Sequence, residues 1–213
     1  MQITIQQNEL KAVSYAMAVK DIRHYLNGVL VETNGAETRL VACDGHRLHA
    51  VVSFDNDALI VDPVQIILPN TFVKTLLKAK FGKHASDRGQ FTLNIDGDKV
   101  SCALPDGTET MCKGLEGKFP DYSRVIPATV SGEYHPCNPS FIVDVHDAYM
   151  AYMNSPRAIC PDLSYNGDGA AMLACDRFVA VVMPWRVDKG DDKPHEAFTR
   201  ALSKPETKQA AEA

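Results

Sequence analysis

The stretch LVACDGHRLHAV, residues 40–51, decides the fold. Apolar residues alternate with other residues on both sides of an Asp44-Gly45 pair, which is the strongest short sequence signal for a tight β-hairpin. His46 and Arg47 follow the turn directly, and the apolar Leu48 comes next. A hairpin with an imidazole, a guanidinium and an apolar side chain in a row can be a catalytic corner, the rim of a peptide-binding groove, or a turn with no further role.

The composition is that of an ordinary globular protein of one to two domains: 213 residues, 45% hydrophobic and 23% charged. A formal net charge of -5 argues against a protein that coats nucleic acid indiscriminately, although it leaves room for a basic patch. The sequence shows no apolar run of membrane-spanning length and no secretory signal, so we expect a cytoplasmic protein without a membrane partner. Six scattered cysteines without a Cys-x-x-Cys pair are expected to be buried thiols.

Around the hairpin, the sequence predicts a unit of one strand, one helix and three strands in a meander. Residues 2–6 alternate as a strand, and Asn8 is the predicted N-cap of the helix that follows. Turn pairs at Asn34-Gly35 and Asp44-Gly45 separate the three strands. These strands are predicted over residues 26–33, 39–43 and 47–54.

The same unit recurs twice at a spacing of roughly 60 residues, which is typical of stacked or ring-like assemblies. The second copy has a strand at 64–68, a helix opening at Pro69-Asn70, and strands near 91–95, 100–104 and 108–112. The third has an extended segment at 133–135, a helix opening at Asn138-Pro139, and strands near 163–165, 170–174 and 178–183. If two units make a closed domain, the third completes itself across a subunit boundary or stays small. Residues 188–213 are predicted to form a mobile tail.

Lysines concentrate on the second predicted helix. Lys74 and Lys78 are one turn apart and are followed by Lys80 and Lys83, on the face opposite the apolar stripe. Such a face either follows phosphates in a sequence-independent, salt-sensitive way or is simply solvated.

Catalysis is disfavoured by the sequence. Cys43 and His46 could form a nucleophile and base in a small hydrolase, but no third orienting group is evident. His135, Cys137 and Cys160 lack a fourth metal ligand, and no glycine-rich phosphate loop with its lysine is present. We therefore expect no enzyme activity, no cofactor and no metal.

Three long motifs resemble one family. They are KDIRHYLNG at 20–28, VACDGHRL at 41–48 and GKFPDYSRVIP at 117–127, and all three resemble the middle domain of the bacterial sliding clamp, the beta subunit of the replicative DNA polymerase. The segment 178–186, ending VVMPWR, resembles the clamp's last strand, with Trp185 where the family usually has methionine. The resemblance implies an α+β DNA-clamp fold of repeated strand-helix-three-strand units. It implies a clamp domain at 1–127, a half domain at 128–187 and a truncated, phage-type subunit.

The resemblance also implies a groove between the two parts that binds short hydrophobic motifs of polymerases and clamp loaders. Its apolar residues are expected to pack a Leu or Phe of the peptide, while His46, Arg47 and Arg186 orient the peptide backbone and acidic groups. Carried over residue by residue, the groove consists of Leu26, Cys43, Gly45, His46, Arg47, Leu48, Pro127, Val181, Met183, Pro184, Trp185 and Arg186.

Sliding clamps encircle duplex DNA, and the resemblance implies which residues face it. These are Lys20, His24 and Tyr25, together with Lys74, Lys78, Lys80 and Lys83. Rings of the family resemble roughly twelve copies of the unit, so three copies per chain predict a homo-oligomeric, head-to-tail ring and favour a tetramer. The alternative is a non-ring adaptor or decoy that binds clamp-binding peptides or a host clamp, which the missing first domain would favour.

Overall fold

The computed structural model describes residues 1–54, 63–82 and 89–185. Its first two units follow the predicted order of elements. The first unit contains β1 (Gln2–Gln6), α1 (Gln7–Ser14), β2 (Gly28–Thr33), β3 (Glu37–Cys43) and β4 (Arg47–Phe54). The second contains β5 (Val64–Pro69), α2 (Asn70–Lys78), β6 (Gln90–Asp96), β7 (Lys99–Ala103) and β8 (Glu109–Lys113). The last elements are α3 (Pro139–Tyr152), β9 (Ala171–Cys175) and β10 (Phe178–Val182).

The strands form two antiparallel sheets, and the first two units exchange their first strands. A four-stranded sheet has the order β1-β6-β7-β8, and a six-stranded sheet has the order β5-β2-β3-β4-β10-β9. β1 therefore pairs with β6 of the second unit, and β5 pairs with β2 of the first. The hairpin signals predicted which consecutive strands are neighbours, but turn chemistry carries no information about a partner on the far side of a helix.

Two hydrophobic clusters lie on opposite faces of the six-stranded sheet, because successive strand residues point to opposite faces. The inner cluster contains the apolar faces of α1, α2 and α3 together with Val51, Phe178 and residues of both sheets. The outer cluster lies on the other face and consists of Ala18, Leu26, Leu30, Val41, Leu48, Ala50, Ile67, Phe119, Ala170 and Val181. In the described part of the chain, no α-helix packs on the outer cluster; short 3-10 turns at His24–Leu26 and Tyr122–Val125 border it instead.

Two predicted helix starts can be compared with the structure. α3 begins at Asn138-Pro139 as predicted, and Asn138 is its N-cap, with its Oδ1 accepting a hydrogen bond from the Ser140 amide at 3.0 Å. Asn8, predicted as the cap of α1, instead lies inside that helix and is 8% exposed. Its Nδ2 donates to the Tyr152 carbonyl at 2.7 Å, so the side chain joins α1 to the end of α3. The asparagine that suggested an N-cap thus makes a buried contact between two helices.

The third unit is less complete than predicted. Residues 133–135 form no strand, and the segment 163–165 contributes only an isolated bridge between Ser164 and Met172. In the first and second units, the first strand pairs with the sheet of the other unit. The described residues contain no additional sheet with which a first strand of the third unit could pair. β9 and β10 instead extend the first unit's sheet through β4, while α3 packs against α1. The predicted tail, 188–213, lies outside the described residues.

Within the described residues, no helix has the length and apolar character needed to cross a membrane.

Candidate peptide-binding groove

The β3–β4 hairpin and the end of β10 lie side by side although they are far apart in the sequence. β10 pairs antiparallel with β4, with Val181 opposite Leu48 and Val182 opposite Arg47. One residue further on, the Met183 amide donates to the His46 carbonyl at 2.8 Å. Backbone hydrogen bonds therefore fix the two walls of the predicted groove in one register.

The floor of this site is buried and its rim is exposed. Leu26, Leu48 and Val181 belong to the outer cluster and are each 1–2% exposed. Cys43 packs against the same cluster and is half-buried. At the rim, Met183 is 40% and Trp185 is 57% exposed. Large exposed apolar side chains beside a buried apolar floor are typical of a surface that binds an apolar peptide.

The remaining predicted groove residues lie at the edges of this surface. Pro184 is half-buried and forms an isolated bridge with Cys137, and the Trp185 amide donates to the Pro136 carbonyl at 2.7 Å. Pro127 is half-buried and follows Ile126, which packs against the outer cluster. Arg186 lies outside the described residues, so its predicted role stays a prediction.

The hairpin turn is held by its own aspartate and by a neighbouring loop. Asp44 Oδ1 accepts from the amides of His46 at 2.8 Å and Arg47 at 3.0 Å. Arg23 Nη2 donates to the Asp44 carbonyl at 3.0 Å. Gly45 has φ +93°, and a Cβ there would lie 2.8 Å from Arg23 Nη2. Glycine is therefore favoured by the backbone conformation, and a Cβ at this position would also displace the Arg23 guanidinium.

Arg23 is in turn held by Asp21. The carboxylate of Asp21 accepts from Arg23 Nη2 at 2.8 Å and from the Arg23 amide at 2.8 Å. These hydrogen bonds from Arg23 lower the pKa of Asp21 to about 2, so the carboxylate stays charged at neutral pH. The motif 20–28 thus forms a loop that fixes one side of the turn.

Arg47 is placed differently from the prediction that it orients the peptide. Alternation along β4 sets it on the face opposite Leu48, beneath the helices. Its Nε bonds Asp44 Oδ2 at 3.0 Å, its Nη1 bonds Asp144 of α3, and its guanidinium lies 4.6 Å from the centre of the Phe141 ring. Arg47 therefore joins α3 to the hairpin on the face opposite Leu48. His46 is exposed and stacks on the same Phe141 ring at 6.1 Å.

The residues predicted to face DNA fall into two groups. Lys74 and Lys78 are exposed on α2, and Lys80 is exposed just after it, while Lys83 lies outside the described residues. Lys20 and His24 are exposed in the connection between α1 and β2, where His24 Nε2 lies 2.9 Å from the Glu116 carbonyl.

Tyr25, in the same connection, is half-buried against the outer cluster. The first group is thus on the helical layer, and the second lies beside the groove.

The hydrolase hypothesis finds no support in the geometry of Cys43. Burial raises the pKa of its thiol, and a nucleophilic cysteine needs the opposite shift. Its Sγ accepts from the Gly45 amide at 3.2 Å, so the sulfur serves the turn. In the described part of the chain, no group of three His, Cys, Asp or Glu side chains is placed to hold a metal ion.

His49 has a structural role that the sequence did not reveal. It is fully buried on the inner face of β4, and its Nδ1 lies 3.1 Å from the Ala12 carbonyl in the last turn of α1. A neutral ring with hydrogen on Nδ1 satisfies that carbonyl, which has no partner in its own helix. Nε2 then has no hydrogen-bond partner, and burial lowers the pKa of His49 to about 4. Its alternation with Leu48 was the only available signal that it points inward.

The fold and the β4–β10 junction define a clamp-type protein, and comparisons with known proteins agree. The family described as "DNA polymerase III beta subunit, central domain" matches residues 4–121, which is more than half of the chain. The chain therefore belongs to the DNA polymerase III beta subunit family. The beta sliding clamp of Pseudomonas aeruginosa is 35% identical over 131 residues, and that of Escherichia coli K12 is 36% identical over 131 residues. Each match covers 60% of this chain but only 34% of the relative.

Solved structures match a larger part of the chain. A crystal structure of the DNA polymerase sliding clamp from Pseudomonas aeruginosa with ligand aligns with a TM-score of 0.66, covering 88% of this chain and 66% of that one. A sliding clamp from the same organism bound to griselimycin aligns with a TM-score of 0.63. Sequence identity is 22% in both cases, so these structures establish the clamp fold.

Proposed function

We propose that the chain is a processivity factor of the sliding-clamp type, which binds linear motifs of a DNA polymerase and a clamp loader and encircles duplex DNA as a homo-oligomeric ring. The division into a clamp domain at 1–127, a half domain at 128–187 and a tail is part of the proposal. The tetramer that the count of units predicts is not supported by the sliding clamps that the chain resembles, so the prediction of four subunits is withdrawn. No catalytic step, cofactor or metal is required.

One observation carries the peptide-binding part: the pairing of β4 with β10, which joins the hairpin and the VVMPW segment around the outer cluster. Apolar anchors of a peptide gain affinity when they enter a desolvated apolar site. The exposed Met183 and Trp185 can cover such an anchor, and the exposed His46 ring offers a polar contact at the rim. All of these residues come from one chain.

The peptide site is tested with rim variants. We expect Met183→Ala and Trp185→Ala each to weaken binding of a short fluorescent peptide containing Leu and Phe by roughly tenfold or more, because each removes an apolar contact at the anchor. Fluorescence anisotropy gives the affinity. Met111→Ala is the matched control, because Met111 is an exposed methionine on the other sheet. Unchanged affinity in both rim variants would contradict the groove.

The DNA-binding part is supported by the lysines of α2. Replacing Lys74 and Lys78 together with Glu should weaken retention on nicked circular duplex DNA by roughly tenfold or more and reduce its salt dependence, because each lysine neutralises a phosphate. Peptide affinity should not change. Gel filtration of protein bound to the circle, with and without linearisation of the DNA, measures retention.

Lys99 and Arg157, both exposed and outside the two groups of residues predicted to face DNA, provide the matched control pair for reversal to Glu. Retention that falls equally in the control pair would show a net-charge effect and no specific surface. A ring also predicts that linearisation releases the wild-type protein.

The adaptor remains the second candidate because the described residues of the proposed groove all come from one chain, whereas a ring needs several. An adaptor predicts peptide binding at full strength together with no retention on circular DNA. These two assays therefore separate the candidates.

A further inference from the structure

We propose that the tail, residues 188–213, binds in the groove of its own chain through Phe198 and Leu202 and competes there with the linear motifs of other proteins. The inference rests on the peptide-binding part of the proposed function and adds a regulatory ligand to it. That ligand is a segment of the same chain, so the contact needs no second copy.

The described part of the chain ends at the groove. Trp185 is the last residue that the structure describes before the tail, and it is a rim residue. Two backbone hydrogen bonds hold the chain at this point. The Met183 amide donates to the His46 carbonyl at 2.8 Å, and the Trp185 amide donates to the Pro136 carbonyl at 2.7 Å. The tail therefore starts from a fixed position beside the outer cluster.

The rim of the groove stays open within the described residues. Val181, Met183 and Trp185 are two residues apart, so an extended chain places their side chains on one face. Val181 is 1% exposed and belongs to the floor, whereas Met183 is 40% and Trp185 is 57% exposed. Contact with a further apolar side chain would remove both rim side chains from water, which is favourable.

The tail sequence contains two large apolar residues, Phe198 and Leu202, and they are of the two types that the groove is expected to bind. The other residues of 188–213 are charged, polar, Pro, Gly or Ala. Apolar anchors supply most of the affinity of a peptide for a desolvated site. Phe198 and Leu202 are therefore the anchors that the tail can offer.

The connection between Trp185 and Phe198 is long enough to reach the groove and short enough to favour it. A polar chain of this length has a root-mean-square end-to-end distance of roughly 20 Å, and neighbouring strands such as β4 and β10 lie about 5 Å apart. Tethering over such a distance gives an effective concentration on the order of 1 mM. A segment with a dissociation constant of about 0.1 mM would then occupy the groove about nine-tenths of the time and weaken the binding of an added peptide about tenfold.

Trp185 reports directly on a docked tail, because it is the only tryptophan of the chain. We expect the full chain with Phe198→Ala and Leu202→Ala to emit at longer wavelength and to be quenched by acrylamide about twofold more strongly, because the apolar contact that shields the indole is lost. Thr199→Ala with Ser203→Ala, at polar positions in the same segment, is the matched control and should behave as wild type. Equal quenching in all three proteins would overturn the proposal.

Peptide affinity is the second readout. The Phe198→Ala/Leu202→Ala chain should bind the short fluorescent peptide containing Leu and Phe about tenfold more tightly than wild type, because the competing segment is lost. The control pair should match wild type. Equal affinity in wild type and the Phe198→Ala/Leu202→Ala chain would overturn the tail as a ligand and leave the groove intact. Absence of peptide binding in both proteins would instead overturn the groove, and this inference with it.

The Phe198→Ala/Leu202→Ala chain is also the background in which the rim variants show their full effect. Met183→Ala weakens the tail as well as an added peptide, so part of its effect is hidden where the tail competes.

Dilution separates the chain's own tail from the tail of a second copy. A contact within one chain does not depend on protein concentration, so the quenching of Trp185 in wild type should stay constant over about a hundredfold dilution. Quenching that increases on dilution would assign the bound tail to a second copy and overturn the proposal.

Discussion

Phe178→Ala should lower the free energy of unfolding by about 4 kcal/mol and abolish peptide binding. Phe178 is 2% exposed and joins three elements. From β10, its ring stacks on Tyr152 of α3 at 5.5 Å and meets His49 of β4 edge-on at 5.9 Å. Removing the ring leaves a cavity at the junction that holds β10 against β4. The groove should fail with it, because the Met183 rim is positioned by that pairing.

Urea denaturation and peptide anisotropy measure the two effects of Phe178→Ala. Phe54→Ala is the control, because Phe54 is 52% exposed and contacts Arg177 with its ring. We expect the control to cost about 1 kcal/mol or less and to leave peptide binding intact. A loss of stability in Phe178→Ala with unchanged peptide affinity would mean that the groove does not depend on β10.

Acidification from pH 6.5 to pH 4 should remove about 3 kcal/mol of stability through His49 alone. The pKa of His49 is about 4 in the folded chain, against an ordinary value near 6.5 when unfolded. Between pH 6.5 and pH 4, His49 is protonated in the unfolded chain but stays neutral in the folded chain. Lowering the pH therefore stabilises the unfolded state relative to the folded state. Well above pH 6.5 His49 is neutral in both states and costs no stability, and well below pH 4 it is protonated in both states and the loss of stability is constant. The cause is burial, because a proton on Nε2 would have no acceptor.

His49→Gln should flatten this part of the stability curve, since glutamine does not titrate. Urea midpoints between pH 4 and pH 7 give the slope for each variant. Stability at neutral pH should fall in this variant, because the fit of the imidazole against Ala12 is lost. His146→Gln, at an exposed position on α3, is the matched control variant. Equal slopes in wild type and His49→Gln would contradict the assignment.

The sequence predicted what local patterns encode. Turn pairs and alternation predicted the three-strand meanders, because a two-residue turn determines which strands are neighbours. The contact between His46 and Met183 was predicted only from the family resemblance, because no local sequence pattern links residues so far apart. The face of the sheet on which Arg47 lies could have been predicted, because alternation along the strand places it opposite the apolar Leu48.

Other features depend on tertiary packing and left no local signal. Asn8 has the side chain of a helix cap, and only the neighbouring Tyr152 carbonyl shows why it is buried. Residues 133–135 were predicted as an extended segment in the place of a first strand, but a strand also needs a partner edge. The inward burial of His49 and its missing acceptor could be recognised only once α1 was packed on β4.

The exchange of β1 and β5 between the first two units has a consequence for how this chain can be divided. A cut after β4 leaves each fragment with a strand that belongs in the other fragment's sheet, and with a gap where its own sheet needs one. Neither piece alone can pair all of its strands, because the β1–β6, β2–β5 and β4–β10 pairs each join one strand from either piece. When the two fragments are mixed, we expect them to associate into the native fold with one peptide bond missing. Each fragment therefore needs the other in order to fold.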